Sequence, residues 1–272
     1  MPELPEVEAV RRRLAPVLTL TRIADVDVRR PDLRVPFPRR FRARLVGRTV
    51  LTLTRRAKYL LAALSSRETL IVHLGMSGSF RVDAPHDVAA ELDRHDHVVF
   101  HLASGAAVTF NDPRRFGLMT LLTPAQLARH PVLSRLGPEP LSPDFDAAAL
   151  ARACRGRKTA LKVALLDQRV VAGIGNIYAS EALHLAGLSP FRRASTIATA
   201  AGAPREAAER LTEAIKRVLT NAIERASATY RSSRFRVYDR EGERCLRRGC
   251  GGIIKRRTQA GRSTFYCPVC QR

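Results

Sequence analysis

The chain predicts an α+β protein of two modest domains, each long enough to bury a core. Three observations predict it. Short apolar or alternating runs, cut by Gly, Pro and charged turns, fill the stretch from Ile23 to Leu122. Ala-rich segments at helical spacing follow from Ala147. Four cysteines, Cys245, Cys250, Cys267 and Cys270, crowd the C-terminal end.

Val7, Val10, Leu14 and Val17 recur at helical spacing after Pro5, so a leading helix runs to about Leu18. The spacing then predicts strands over Ile23–Val28, Thr49–Thr54, Tyr59–Leu64, Thr69–Leu74, Val98–Leu102, Ala107–Phe110 and Leu118–Leu122. Several short strands at close spacing imply a β-sandwich or a barrel. Leu136-Gly137-Pro138-Glu139-Pro140-Leu141-Ser142-Pro143 breaks the pattern and reads as a linker. Helices are expected over Ala147–Cys154, Ala160–Gln168, Ile177–Ala186 and Pro204–Arg225. The domains are therefore placed at 1–135, 144–237 and 238–272, with 136–143 between the first two.

The cysteines stand as Cys245-x4-Cys250 and Cys267-x2-Cys270, two close pairs flanking a short hairpin. That spacing suits one structural zinc, because four thiolates close a tetrahedral shell and leave no open position. Two disulfides in a secreted tail are the alternative. The opening residues lack the apolar core of a signal peptide, so a cytoplasmic protein and zinc are expected. Cys154 follows an Ala-rich stretch and reads as a small buried hydrophobe.

The 47 Lys+Arg against 25 Asp+Glu leave a formal charge of +22. Cations placed on phosphates release counterions, so such a surface favours a polyanion, nucleic acid first. No apolar run is long enough to span a membrane, and no basic amphipathic helix carries a broad apolar face.

The terminus Met1-Pro2-Glu3-Leu4-Pro5-Glu6 carries chemistry if Met1 is removed. Pro2 then presents a secondary amine, and a free α-amino group titrates near ~7.7. Such an amine attacks an electrophilic carbon and forms an imine. Glu3 and Glu6 are close enough to move protons for it. An ordinary processed terminus is the plain alternative.

Four internal stretches also stand out: Arg55–Leu60, His73–Gly78, Asn111–Gly117 and Ala172–Glu181. Taken singly, Met76 and Phe116 also suit core gap-filling, and Arg114–Arg115 a solvated pair. Gly173-Ile174-Gly175 lacks the third glycine of a dinucleotide loop and reads as a tight turn between helices. Its backbone N–H groups, at the start of the next helix, suit a phosphate. His95 and His97 read as a packed or phosphate-facing pair.

Together these motifs resemble the formamidopyrimidine-DNA glycosylase family and its relative endonuclease VIII. The resemblance runs from Pro2-Glu3-Leu4-Pro5-Glu6-Val7-Glu8 through Arg56-Ala57-Lys58-Tyr59-Leu60 and Asp112-Pro113-Arg114-Arg115-Phe116-Gly117. It continues through Leu136–Leu141 and Gly173–Glu181 to the cysteine hairpin, essentially the whole chain. Leu4 fits the formamidopyrimidine branch better than the endonuclease VIII branch, which usually has Gly there.

The resemblance implies an N-terminal β-sandwich with a leading helix, a helix-two-turn-helix domain and a zinc finger. It implies a monomeric bacterial enzyme at the nucleoid that acts on double-stranded DNA bearing oxidised bases or abasic sites. Pro2 would attack C1′, Glu3 would manage protons, Glu6 would support the terminus, and Lys58 would bind a phosphate and tune the pocket. Met76, Arg114 and Phe116 match the trio that fills the gap left by a flipped base. His73, Asn176 and Arg262 match phosphate contacts, and Arg115 and Lys158 are further expected DNA contacts.

One departure matters. The family usually carries a long Gly-containing loop before the finger, which caps the flipped base. Here Ser227–Val237 is short, so strict 8-oxoguanine specificity is not expected, and Glu181 and Tyr230 are the candidate pocket substitutes. The rival readings are a catalytically silent zinc DNA-binding protein on the same scaffold and a basic ribosome-associated zinc protein.

Overall fold

Among the described residues, eight antiparallel strands of the first unit form two four-stranded sheets. A computed structural model describes residues 2–85, 91–225 and 235–272, and the chain divides into units at Met1–Ser134 and Arg135–Arg272. Helix α1 (Leu4–Leu18) is followed by β1 (Ile23–Val28), a short α2 (Phe41–Leu45), β2 (Val50–Arg56), β3 (Tyr59–Leu64) and β4 (Thr69–His73). Then come β5 (Ser79–Asp83), β6 (Asp96–Leu102), β7 (Ala107–Asn111), β8 (Leu118–Leu122) and α3 (Pro124–Ala128). The sheet orders are β1-β6-β7-β5 and β2-β3-β4-β8.

One core draws on both sheets: Val26, Phe80, Val98, Phe100 and Val108 from the first, Leu53, Leu60, Val72, Met119 and Leu121 from the second. That decides for a sandwich over a barrel. Val7, Val10 and Leu14 of α1 join this core, so the helix that bears the N-terminus is anchored by apolar burial. Strand β5 was not expected. Its alternation rests on only Phe80 and Val82 beside a glycine turn, too few residues to register as a period.

The second unit holds α4 (Ala147–Cys154), α5 (Leu161–Leu166), α6 (Asn176–Ala186) and α7 (Glu206–Glu224). Helix α7 buries Leu211, Ile215, Leu219 and Ile223, a stripe at four-residue spacing. Helix α6 is buried nearly all round and stops at Gly187, whose φ of +71° a side chain would strain. Cys154 is fully buried, and burial pushes its thiol up to about 11. The segment expected to be a linker is tied into this unit. The Gly137 N–H donates to the Gln168 carbonyl at 2.8 Å and the Ala172 N–H to the Pro138 carbonyl at 3.0 Å. A Cβ on Gly137 would lie 2.5 Å from the Arg169 carbonyl oxygen, so only glycine fits that approach.

The unit closes on a hairpin of β9 (Lys255–Gln259) and β10 (Arg262–Tyr266). Ala260 and Gly261 form its two-residue turn with φ of +48° and +73°. Positive φ at both central residues matches the twist of the flanking strands.

Candidate active site and zinc centre

Pro2 sits one residue before Glu3, the N-cap of α1. Glu3 and Glu6 are both buried there, in the partial positive charge of a helix N-terminus. The Glu3 N–H donates to Glu6 Oε2 at 2.8 Å, so Glu6 fixes the Pro2–Glu3 step in direction.

Lys58 lies at the two-residue turn of the β2–β3 hairpin, where Arg56 pairs with Tyr59 and Ala57 takes a φ of +52°. Its side chain is buried. Glu8 holds this turn to α1: Arg55 Nε donates to Glu8 Oε2 at 3.2 Å and Arg55 also donates to the Ala57 carbonyl at 2.9 Å. Burial pushes the Glu8 carboxyl up, but hydrogen bonds from Arg11 and Arg12 and the charge of Arg55 win and hold it below its usual range. Both residues lie in stretches that stand out in the sequence, but their pairing was not foreseen. Forty-seven residues separate them, and no local pattern links them.

His73, at the end of β4, accepts the Gly75 N–H at Nδ1, 3.0 Å away. Burial, then the charges of Lys58 and Arg34, push its pKa down to about 4. The ring is therefore neutral, with its proton on Nε2, a donor suited to a phosphate oxygen. Met76 follows on the turn after β4, half-buried. Arg114, Arg115 and Phe116 are exposed on the turn between β7 and β8, with Phe116 47% exposed. The Arg114 guanidinium lies 5.0 Å from the Phe116 ring centroid. The backbone makes these two turns touch: a Cβ on Gly75 would sit 2.3 Å from the Phe116 carbonyl carbon. His97 is packed beneath them, its Nε2–H donating to the Asp112 carbonyl at 2.9 Å, while His95 accepts from Arg94. His97 is thus structural support.

In the second unit, Asn176 opens α6 and Arg262 is exposed at the start of β10. A lysine overlooked in the sequence joins these elements. Lys162 is 1% exposed, and its ammonium donates to Asn176 Oδ1 at 2.7 Å, Thr264 Oγ1 at 2.8 Å and the Ser263 carbonyl at 3.0 Å. Asn176 Nδ2 donates to the same Ser263 carbonyl at 2.9 Å. The amide is thereby fixed in one orientation, with a second N–H on Nδ2 for a ligand. Lys158 is exposed on the loop after α4. The Gly173-Ile174-Gly175 turn departs from expectation. It is buried, and the Gly173 N–H is taken by Gln168 Oε1 at 2.9 Å.

Glu181 also departs from expectation. Its carboxylate accepts the backbone N–H groups of Arg236 at 2.7 Å, Val237 at 2.8 Å and Tyr238 at 2.9 Å. It anchors the chain entering the finger. Tyr230 and most of the short segment around it lie outside the described residues.

The sulfur atoms of Cys245, Cys250, Cys267 and Cys270 all lie within 4.8 Å of one another. Two of the separations are 3.8 Å and 3.5 Å, close to the edge of a tetrahedron with sulfur ~2.3 Å from a central zinc. Gly252 passes so close that a Cβ would lie 2.6 Å from Cys267 Sγ. The donor set and the space fit one structural zinc. Helix α6 supports the centre: His184 Nε2 lies 3.2 Å from Cys245 Sγ, and Arg247 donates to the last carbonyls of α6, His184 and Leu185.

A basic α+β protein with Pro2 beside a carboxylate-lined helix N-terminus and a four-cysteine cluster is a narrow class. Three family models match this chain: the formamidopyrimidine-DNA glycosylase N-terminal domain over residues 1–119, the formamidopyrimidine-DNA glycosylase H2TH domain over 136–234, and the zinc finger found in FPG and IleRS over 242–272. The chain belongs to the formamidopyrimidine-DNA glycosylase family. It is 56% identical to the formamidopyrimidine-DNA glycosylase of Azorhizobium caulinodans and 55% identical to that of a Bradyrhizobium species, over 100% of both chains in each case. It is similar to the Lactococcus lactis glycosylase bound non-covalently to DNA containing an AP site, with TM-score 0.87 and 31% identity over 100% of both chains. The MutM protein of Thermus thermophilus is similar too, at TM-score 0.83 and 39% identity over 99% of this chain and 98% of the other.

Proposed function

We propose that this protein is a bifunctional DNA glycosylase and abasic-site lyase of base excision repair, acting on double-stranded DNA. The observation that carries the reading is Pro2 and Glu3 at the buried, carboxylate-lined start of α1 in a chain of this family. Once Met1 is removed, the Pro2 nitrogen attacks C1′ as the glycosidic bond breaks and the base leaves with its electron pair. Glu3 manages the protons of sugar opening. The resulting imine acidifies the C2′–H, and successive β- and δ-elimination expel the two phosphates. A chain that retains Met1 has an amide at Pro2 and no nucleophile.

Flipping a base costs a few (about 2–4) kcal/mol of unstacking and unpairing. Met76, Arg114 and Phe116 fill the gap: an exposed aromatic wedge holds the kink open and the arginine hydrogen-bonds the orphaned base. His73, Lys58, Asn176, Arg262, Arg115 and Lys158 grip the backbone. Zinc, bound by the four cysteines, holds the hairpin that carries Arg262. The domains are taken as 1–135, 144–237 and 238–272, and the protein as a monomer at the bacterial nucleoid. No described helix is long and apolar enough to cross a membrane.

The short segment before the finger points to a wide pocket. The 272-residue chain aligns over 293 positions with its Azorhizobium relative, which therefore carries residues this chain lacks. With fewer walls and edge contacts, selectivity falls. Single-turnover excision on matched duplexes tests both levels. Any excision of an oxidised base followed by β,δ-cleavage supports the activity. Formamidopyrimidines or oxidised pyrimidines cut as fast as 8-oxoguanine support the wide pocket, and strict 8-oxoguanine preference contradicts it.

A further inference from the structure

Two turns deliver the three gap-filling residues, and a single buried carboxylate joins them. Asp112 is fully buried. Its Oδ1 accepts the Ser77 hydroxyl at 2.6 Å and its Oδ2 accepts the Gly117 N–H at 2.7 Å. Ser77 Oγ in turn accepts the Arg114 N–H at 3.1 Å. The Asp112 carbonyl takes the Arg115 N–H at 3.1 Å and His97 Nε2–H at 2.9 Å. The closed circuit therefore runs from Gly117 through Asp112 and Ser77 to Arg114. It ties the residue beside Met76 to both flanks of the Arg114–Phe116 turn.

A buried carboxylate is costly, and the Asp112 carboxylate is held by the Ser77 hydroxyl and the Gly117 N–H. An apolar side chain would pack there more cheaply. What it would lose is the link in register between two turns, because only directional donors and acceptors set one loop against another. The turns carry strain that such a link must hold. Arg115 has a φ of +57° and Gly75 is pressed on the Phe116 carbonyl.

We propose that Ser77 and Asp112 are positioning residues that preset Met76, Arg114 and Phe116 as one rigid wedge for insertion into DNA. This rests on the gap-filling reading of those three side chains. Ser77 and Asp112 act through the two turns they join. They act by removing the cost of ordering two loops at the moment the base leaves the stack.

The test is Ser77→Ala, which deletes one hydroxyl from a half-buried turn, beside Ser77→Thr, which keeps it. Three readings are taken on the full chain: the stopped-flow fluorescence of 2-aminopurine placed next to the lesion, single-turnover excision from the duplex, and cleavage of a pre-formed abasic site in single-stranded DNA. Met76→Ala and Phe116→Ala are run in parallel. The expected result is that Ser77→Ala slows the fluorescence phase and duplex excision by roughly 10- to 100-fold, the range a hydrogen bond to a charged group spans. Single-strand cleavage stays at the unaltered protein's rate, and Ser77→Thr restores the duplex rates. An unaltered fluorescence phase in Ser77→Ala, with Met76→Ala and Phe116→Ala slowed, overturns the positioning role alone. Parallel loss of single-strand cleavage overturns it as well, showing a plain folding defect. No change in the fluorescence phase for Met76→Ala or Phe116→Ala overturns the gap-filling reading beneath it.

Discussion

Replacing Glu181 by Gln should loosen the entry to the finger without touching a zinc ligand. Three backbone N–H groups converge on this buried carboxylate, two on Oε1 and one on Oε2. Gln keeps a neutral acceptor for Val237 and Tyr238, which costs about 1 kcal/mol as charge-assisted bonds become ordinary ones. At the other position an amide N–H meets the Arg236 N–H, and that unmade bond costs about 1–3 kcal/mol. The sum is about 2–4 kcal/mol of local stability. Tenfold per ~1.4 kcal/mol makes this roughly a 30- to 700-fold faster amide exchange at Val237 and Tyr238. Hydrogen exchange read by mass spectrometry or NMR measures it directly. Protection at 236–238 equal to that of the unaltered protein would refute the anchoring role derived for Glu181.

Gly252→Ala should cut zinc retention sharply, because its Cβ would fall 2.6 Å from Cys267 Sγ; elemental analysis after dialysis against a chelator reads this. Arg262→Ala should keep one zinc per chain yet weaken DNA binding, and the slope of log affinity against log salt should drop by about one. His73 gives a pH effect of defined sign. Burial and the charges of Lys58 and Arg34 lower its pKa to about 4, so the unfolded chain binds its proton near ~6.5 while the folded chain stays neutral. Stability is then whole above pH ~6.5 and declines as pH falls toward 4. The loss is on the order of 2 kcal/mol, the full shift being discounted because the ring is partly open to solvent. Denaturation of His73→Gln across that window should lack this decline.

Period and spacing made much of the fold legible. Val7, Val10 and Leu14 marked α1, and alternation marked seven of the eight sandwich strands. The cysteine spacing pointed to the metal centre, and the terminal Pro2-Glu3 to the candidate nucleophile. What escaped has a common cause. Ser77 and Asp112 are 35 residues apart, Glu8 and Arg55 are 47 apart, and Glu181 reaches 55 residues ahead. Such links leave no local pattern, because they depend on how strands and turns come together. Lys162 was hidden for another reason. A lysine in a short apolar helix reads as a solvated head, and only the acceptors of Asn176, Ser263 and Thr264 make its burial tolerable. Pro and Gly that break a helix also let a chain lie flat against its neighbour, as Gly137 does on Arg169, which the linker reading of 136–143 did not anticipate.

The central claim is that Pro2 is the nucleophile. Protein with Met1 removed is incubated with duplex DNA containing an abasic site and sodium borohydride, then digested, and the adduct is located by mass spectrometry. The account predicts a stable protein–DNA adduct on the Pro2 nitrogen, absent from protein that retains Met1. An adduct on Lys58 or any other lysine, with none on Pro2, would contradict it.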